Sequence, residues 1–186
     1  MAEGVSMPFA RTWSEELVAE WLQLEGYSVE IGVPVVTPKK GGRREADIVG
    51  ARVKDGVLEI FHVEVGVLSG SAEKNIQGIT NKFSKHIRES LKKYFSERFG
   101  IVPSNKVSYN SMYIAASVSR KTATLARQTG IPLIKLEDFI RQKIIPTISE
   151  WKKKAPHRPK WGATPPEGLW LLCLIDYMNQ RGLITQ

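Results

Sequence analysis

The chain carries a single cysteine, Cys173, among 186 residues. That excludes a disulfide framework and a thiolate zinc cluster. Its setting, Leu-Trp-Leu-Leu-Cys-Leu-Ile, reads as a small buried hydrophobe. Histidine is scarce too: His62, His86 and His157 stand at no spacing that suggests zinc. No stretch approaches the ~20 consecutive apolar residues of a membrane span. The N-terminus lacks a long apolar run and Glu3 comes early, so no signal peptide is expected and a soluble, cytoplasmic protein is. There is no internal repeat and no phosphate-cradling glycine loop. Ser69-Gly70-Ser71 is too short for one and reads as a helix entry.

Charge of one sign is in excess. The formal net charge is +8, in an otherwise ordinary composition of 42% hydrophobic and 25% charged residues. The basic residues cluster. Lys39, Lys40, Arg43 and Arg44 crowd one loop. Lys82, Lys85, Arg88, Lys92, Lys93 and Arg98 fall on one expected helix, and Lys152, Lys153, Lys154, Arg158 and Lys160 form a third group. A solvated surface accounts for some of this, but such clusters suit phosphate contacts. Nucleic acid is favoured over an anionic membrane, because no basic helix with a clean apolar face stands alone.

Periodicity gives the element order. Ser14 is a plausible cap for a helix over 14–25, with Leu17, Val18, Trp21 and Leu22 at helical spacing. Strands are expected over 27–36, 44–53 and 57–67, the last two joined through Lys54-Asp55-Gly56, a hairpin signal. One long helix is expected over 71–99, a loop over 103–110, and a buried strand over 112–118. A helix ending at Gly130, a strand over 131–136 and a helix over 137–154, kinked at Pro146, follow. Residues 155–166 hold four prolines and read as a linker before a last helix over 166–180. Meander strands followed by alternating helix and strand imply an α/β fold with a mixed sheet and helices on both faces. The division is a domain over 1–154, then a linker and C-terminal helix over 155–186. That helix is apolar over much of its circumference and must pack on the body or on a second copy, as a homodimer. Trp151, Trp161 and Trp170 flank the linker, where they could stack on bases or pack the C-terminal segment.

Two acids stand inside strands. Asp47 is flanked by Ala46, Ile48 and Val49, and Glu64 by Val63 and Val65. A buried carboxylate without a partner is costly, so it neutralises itself or binds something positive. Parity puts Leu58, Ile60, His62, Glu64 and Gly66 on one face of their strand, and Glu45, Asp47 and Val49 on one face of theirs. A hairpin can set Asp47 beside Glu64, where the two could hold a divalent metal. The register is not readable from sequence. Glu15 falls at the border of the first helix's apolar stripe, with Glu16 and Glu20 nearer solvent. It either completes a three-acid shell or is a first-turn glutamate favoured by the helix dipole. His62 shares the face of Glu64 and is more in character as a core or supporting group than as a ligand.

This order resembles the PD-(D/E)xK nuclease superfamily, nearest to its archaeal Holliday-junction resolvase and restriction-endonuclease-like branch. The matching stretches are Ser14-Glu15-Glu16-Leu17-Val18 through Glu25-Gly26-Tyr27, then Glu45-Ala46-Asp47-Ile48-Val49, then His62-Val63-Glu64-Val65-Gly66. The likeness spans about residues 11–140, and its motifs are short. It implies a restriction-endonuclease-like fold, DNA as partner with RNA not excluded, and Mg²⁺ or Mn²⁺ as cofactor. Asp47, Glu64 and the carbonyl of Val65 would be ligands, and Glu15 a third acid. One departure stands out: where the family has a lysine, two residues after Glu64, this chain has Gly66. Lys82 is the first candidate to supply the ammonium and Lys74 the second. Gln77 is a weak further candidate for a polar group facing the site. Lys39, Lys40, Arg43, Arg44 and Lys85 are expected to contact nucleic acid. The implied activity is metal-dependent hydrolysis of DNA. The alternatives are a binding module that kept the fold without the chemistry, and a structural protein whose acids pair with Arg43 or Arg44.

Overall fold

Asp55 and Gly56 both take positive φ, 50° and 75°, and reverse the chain between β2 (Arg44–Lys54) and β3 (Val57–Val67). Such a turn matches the twist of the paired strands it joins. It fixes an antiparallel register that runs from Lys54↔Val57 to Ile48↔Val63. The computed structural model describes residues 12–36, 44–101, 106–155 and 163–184. Within them β1 (Ser28–Val36) pairs antiparallel with β2. On the other side β4 (Val107–Ser117) runs parallel to β3, and β5 (Leu133–Lys135) parallel to β4, giving the order β1-β2-β3-β4-β5.

Helices cover both faces. The first is α1 (Trp13–Leu24), whose Leu17, Val18 and Leu22 pack with Ile48, Val63 and Ile114. The same core takes Phe139 of α5 (Leu136–Phe139), Ile148 of α6 (Ile145–Lys154) and Leu172 of α7 (Trp170–Gln180). The opposite face is covered by α2 (Ala72–Lys82) and α3 (Lys85–Arg98). Ile87, Leu91 and Phe95 of α3 meet Val49, Ala51, Leu58 and Ile60 there, and Ile79 and Phe83 meet Tyr113 and Ala115. The short α4 (Arg120–Ala126), capped by Ser119, leads to Gly130 at φ 71° and so to β5. The expected class, a mixed sheet between two helical layers, is the one observed.

The differences are local. Thr12, not Ser14, caps α1, its Oγ1 accepting from the Glu15 amide at 3.2 Å. The long helix expected over 71–99 is two helices. Ser84 takes an extended ψ of 156° between them, and Phe83 turns into the core at 4% exposure. The segment expected to be a loop up to 110 already pairs from Val107, opposite Leu58. The kink expected at Pro146 appears as a π-helical turn over Ile140–Ile144 just before it. A wider turn accommodates a residue that has no amide hydrogen to donate and a ring that crowds the preceding turn.

Glu20, expected near solvent, is 2% exposed. Its carboxylate accepts from the amides of Leu171 and Leu172 at 3.2 and 2.9 Å, closing the N-terminus of α7 onto α1. Lys152 donates to Asp176 at 2.6 Å and ties the same helix to α6. The side of α7 turned away from this contact shows Trp170, Leu174 and Tyr177, all exposed. No helix among the described residues is long and apolar enough to cross a membrane.

Candidate active site

The backbone pairing of β2 with β3 reaches Ile48↔Val63, and one further step along that register sets Asp47 opposite Glu64. Here the side chains take over from the backbone ladder. The Asp47 amide donates to Glu64 Oε1 at 3.3 Å, and the Val65 amide donates to Asp47 Oδ2 at 3.2 Å. Each acid thus satisfies an amide of the other strand, which fixes both carboxylates and answers the register question.

Both acids face the layer of α2 and α3, and α2 ends above them. Lys82 Nζ donates to Asp47 Oδ2 at 3.1 Å and also to Glu64 Oε2. The break after Lys82 directs the next side chain, Phe83, against the ring of His62 at 4.8 Å between centroids. His62 is fully buried and holds the far side of Glu64, with Nε2 2.7 Å from Oε1. Its Nδ1 lies 2.8 Å from the Tyr109 hydroxyl. Since a carboxylate only accepts, a neutral imidazole here keeps its proton on Nε2 and accepts from Tyr109. Above Tyr109, at 5.2 Å from its ring, lies the guanidinium of the exposed Arg88.

The electrostatics push the two acids apart. Burial and then the neighbouring charge of Glu64 raise the Asp47 carboxyl to about 7. Burial acts on Glu64 in the same direction, but the His62 hydrogen bond and the Lys82 ammonium outweigh it and hold that carboxyl below its ordinary value. Burial would lower Lys82, yet Glu64 and Asp47 together raise it. Burial first, and then a second acid sharing the one ammonium, place the Asp47 carboxyl above its ordinary value. A divalent cation suits such a pair: hard oxygen donors, already fixed, with charge to spare.

The structure therefore brings together Asp47, Glu64, Lys82 and the backbone of Val65. It does not gather the others. Glu15 is buried on α1, whose core contacts lie on the opposite side of the sheet from α2 and α3. Among the described residues no three His, Cys, Asp or Glu side chains are grouped to hold an ion, so the three-acid shell with Glu15 is not formed. Lys74 is exposed in the first turn of α2, eight residues or about 12 Å of helix before Lys82, and its amide bonds the Ser71 cap. Gln77 is likewise exposed. Lys85 stands exposed at the start of α3, three residues after Lys82. Lys39, Lys40 and Arg43 lie outside the described residues, as does the side chain of Arg44.

Gly66 has a spatial reason. A Cβ there would come within 2.7 Å of the Tyr113 hydroxyl. Tyr113 sits opposite Glu64 on β4, and a side chain at 66 would have to displace its hydroxyl. Sequence reasoning missed both tyrosines: Tyr109 fell in the segment read as a loop, and Tyr113, inside the expected strand, was given no role. The signal it had was alternation: Tyr109 and Tyr113 stand four apart, on one strand face.

Helix, three-stranded antiparallel meander, helical crossover to a parallel fourth strand, second crossover to a fifth, with acids on the second and third strands: this is the element order expected of a restriction-endonuclease-like fold. Solved structures similar to the chain include AF1548, a protein of unknown function, at 15% identity over 74% of this chain and 65% of that one, with a TM-score of 0.41. They also include the restriction endonuclease FokI bound to DNA, at 14% identity over 71% and 23%, TM-score 0.36. A third is an EndoMS complex with double-stranded DNA, at 17% identity over 73% and 48%, TM-score 0.29. This chain thus spans less than two thirds of the length of each of those chains. No family model matches the sequence, and no curated protein is similar to it.

Proposed function

We propose that the chain binds DNA and hydrolyses its phosphodiester backbone with a divalent metal ion. The observation that carries this reading is the grouping of Asp47, Glu64 and Lys82: two fixed carboxylates on adjacent strands, one ammonium against both, and an excess negative charge. Asp47 and Glu64, with the carbonyl of Val65, would hold Mg²⁺ or Mn²⁺. When bound, the ion would supply charge stabilisation at the scissile phosphate and a more acidic water.

The chain's own residues divide the remaining work. Lys82 stands in for the lysine that Gly66 replaces, and offsets charge on the phosphate. His62 positions Glu64 and keeps its Oε1 turned from the site. Lys85 and Arg88, exposed beside this grouping, meet neighbouring phosphates. Hydrolysis adds water at phosphorus and breaks one P–O ester bond, leaving a phosphate monoester and a hydroxyl end.

A second reading is a DNA-binding module without chemistry, favoured by the fact that Lys82 already bridges the two acids. Cleavage of duplex, branched and single-stranded DNA in Mg²⁺ or Mn²⁺ separates the two. Asp47→Ala is expected to lower the cleavage rate by about a hundredfold or more, while DNA affinity measured in chelated, metal-free buffer stays within about twofold. Tight, salt-sensitive binding by the wild type with no cleavage of any form would select the binding module instead.

A further inference from the structure

The site already holds a cation of its own. Lys82 Nζ donates to Asp47 Oδ2 at 3.1 Å and to Glu64 Oε2, one oxygen of each acid that would hold a metal ion. The other oxygen of Glu64 is engaged as well. Glu64 Oε1 takes the His62 ring at 2.7 Å and the Asp47 amide at 3.3 Å. Asp47 Oδ2 also takes the Val65 amide at 3.2 Å. An oxygen engaged by an ammonium cannot offer the same lone pair to a metal at the ~2.1 Å a magnesium ion demands, and two cations in that space repel.

We propose that Lys82 is a tethered competitor for the metal. It sits on the two acids while DNA is absent, and an arriving phosphate diester draws it off. Metal and DNA then bind with positive coupling. This rests on reading the site as one for a metal and DNA, and it adds how that site is regulated.

Charge and geometry both support it. With Lys82 on the acids and both acids ionised, the three groups carry one net negative charge. With a divalent ion on the acids and Lys82 on a phosphate diester, the whole assembly is neutral. Either partner alone leaves a charge without its complement: ion and withdrawn lysine are net positive, phosphate beside the closed cluster is net negative. The side chain is also placed to move. Lys82 is the last residue of α2 and is 41% exposed at its side chain, while Glu64 beside it is 1% exposed. The chain leaves the helix at Phe83, which is buried in the core, so the backbone is pinned and the four-carbon stem is left to swing.

Mn²⁺ affinity, read from the free-ion paramagnetic resonance signal, tests this on the full chain with and without a phosphorothioate duplex that resists cleavage. In the wild type the duplex is expected to tighten Mn²⁺ by about tenfold, and Mn²⁺ to tighten the duplex by the same factor. Lys82→Met should bind Mn²⁺ about tenfold more tightly than wild type without duplex, and the added effect of duplex should shrink to less than about threefold. Lys82→Arg, which keeps the charge, should bind as weakly as wild type. Mn²⁺ binding by Lys82→Met that is no tighter than wild type overturns the competition. Asp47→Asn distinguishes the underlying reading: if it binds Mn²⁺ like wild type, the acids are not the metal site and both proposals fall.

Discussion

Asp47 and Glu64 share one ammonium, and the proton that Asp47 retains has a measurable consequence. Its folded carboxyl is pushed up to about 7 from 3.8. Between those values the folded chain holds a proton that the unfolded chain has released, so stability falls as pH rises through that window and the penalty is complete above it. In chelated, metal-free buffer, Asp47→Asn should raise the melting temperature by roughly 5 °C near pH 8 and give no gain near pH 4. Calorimetry at the two values checks this, and an equal shift at both would refute it. Gly66 supplies a second test. Its absent Cβ would meet the Tyr113 oxygen at 2.7 Å but the carbon bearing it at 3.7 Å. Gly66→Ala is expected to cost about 1–3 kcal/mol, and much less when Tyr113→Phe removes the oxygen. Urea denaturation of the four-member cycle measures this; the same cost in both backgrounds would show that the tyrosine is not the obstacle. At this scale the acids were legible, since polar residues at alternating strand positions among valines declare themselves. Tyr113 and Tyr109 were not, because their role depends on which strand lies next to β3.

Elements were legible where local chain chemistry sets them. The hairpin at Asp55-Gly56, the Ser119 cap and the stop at Gly130 all follow from residues that suit those backbone angles. The break at Phe83-Ser84 was not: neither residue is a helix breaker, and the pattern of Ile79, Phe83 and Ile87 continues through it. The division follows from packing, since Phe83 fills space against His62. Glu20 was misplaced for a similar reason. Its partners, the amides of Leu171 and Leu172, lie about 150 residues away. Glu20→Ala should destabilise by about 1–3 kcal/mol, because it leaves those amides buried without an acceptor. Hydrogen exchange is expected to show lost protection in α7 before the sheet, with Glu20→Gln intermediate because it keeps one acceptor. Unchanged protection of α7 in Glu20→Ala would mean that its apolar contacts alone hold it.

Across the whole molecule the net charge of +8 sets a field that favours a polyanion near the exposed Lys85 and Arg88. If phosphate contacts carry the affinity, the logarithm of the duplex binding constant should fall linearly with that of salt, by about 0.9 per contacted phosphate. Removing Lys85 and Arg88 together should lower the slope by about 2. Fluorescence anisotropy over a salt series measures both; affinity insensitive to salt would remove DNA from the proposal.

The order of strands and helices, the positions of the two acids and the sign of the surface charge were written in the sequence alone, because each depends on neighbours a few residues apart. Only the tertiary structure decided that Asp47 stands opposite Glu64, that Lys82 rather than Lys74 reaches the two acids, and that Glu15 stays on the far side of the sheet. Those are matters of register, of where a helix ends and of which layer a helix joins. Each is fixed by packing between segments distant in the chain.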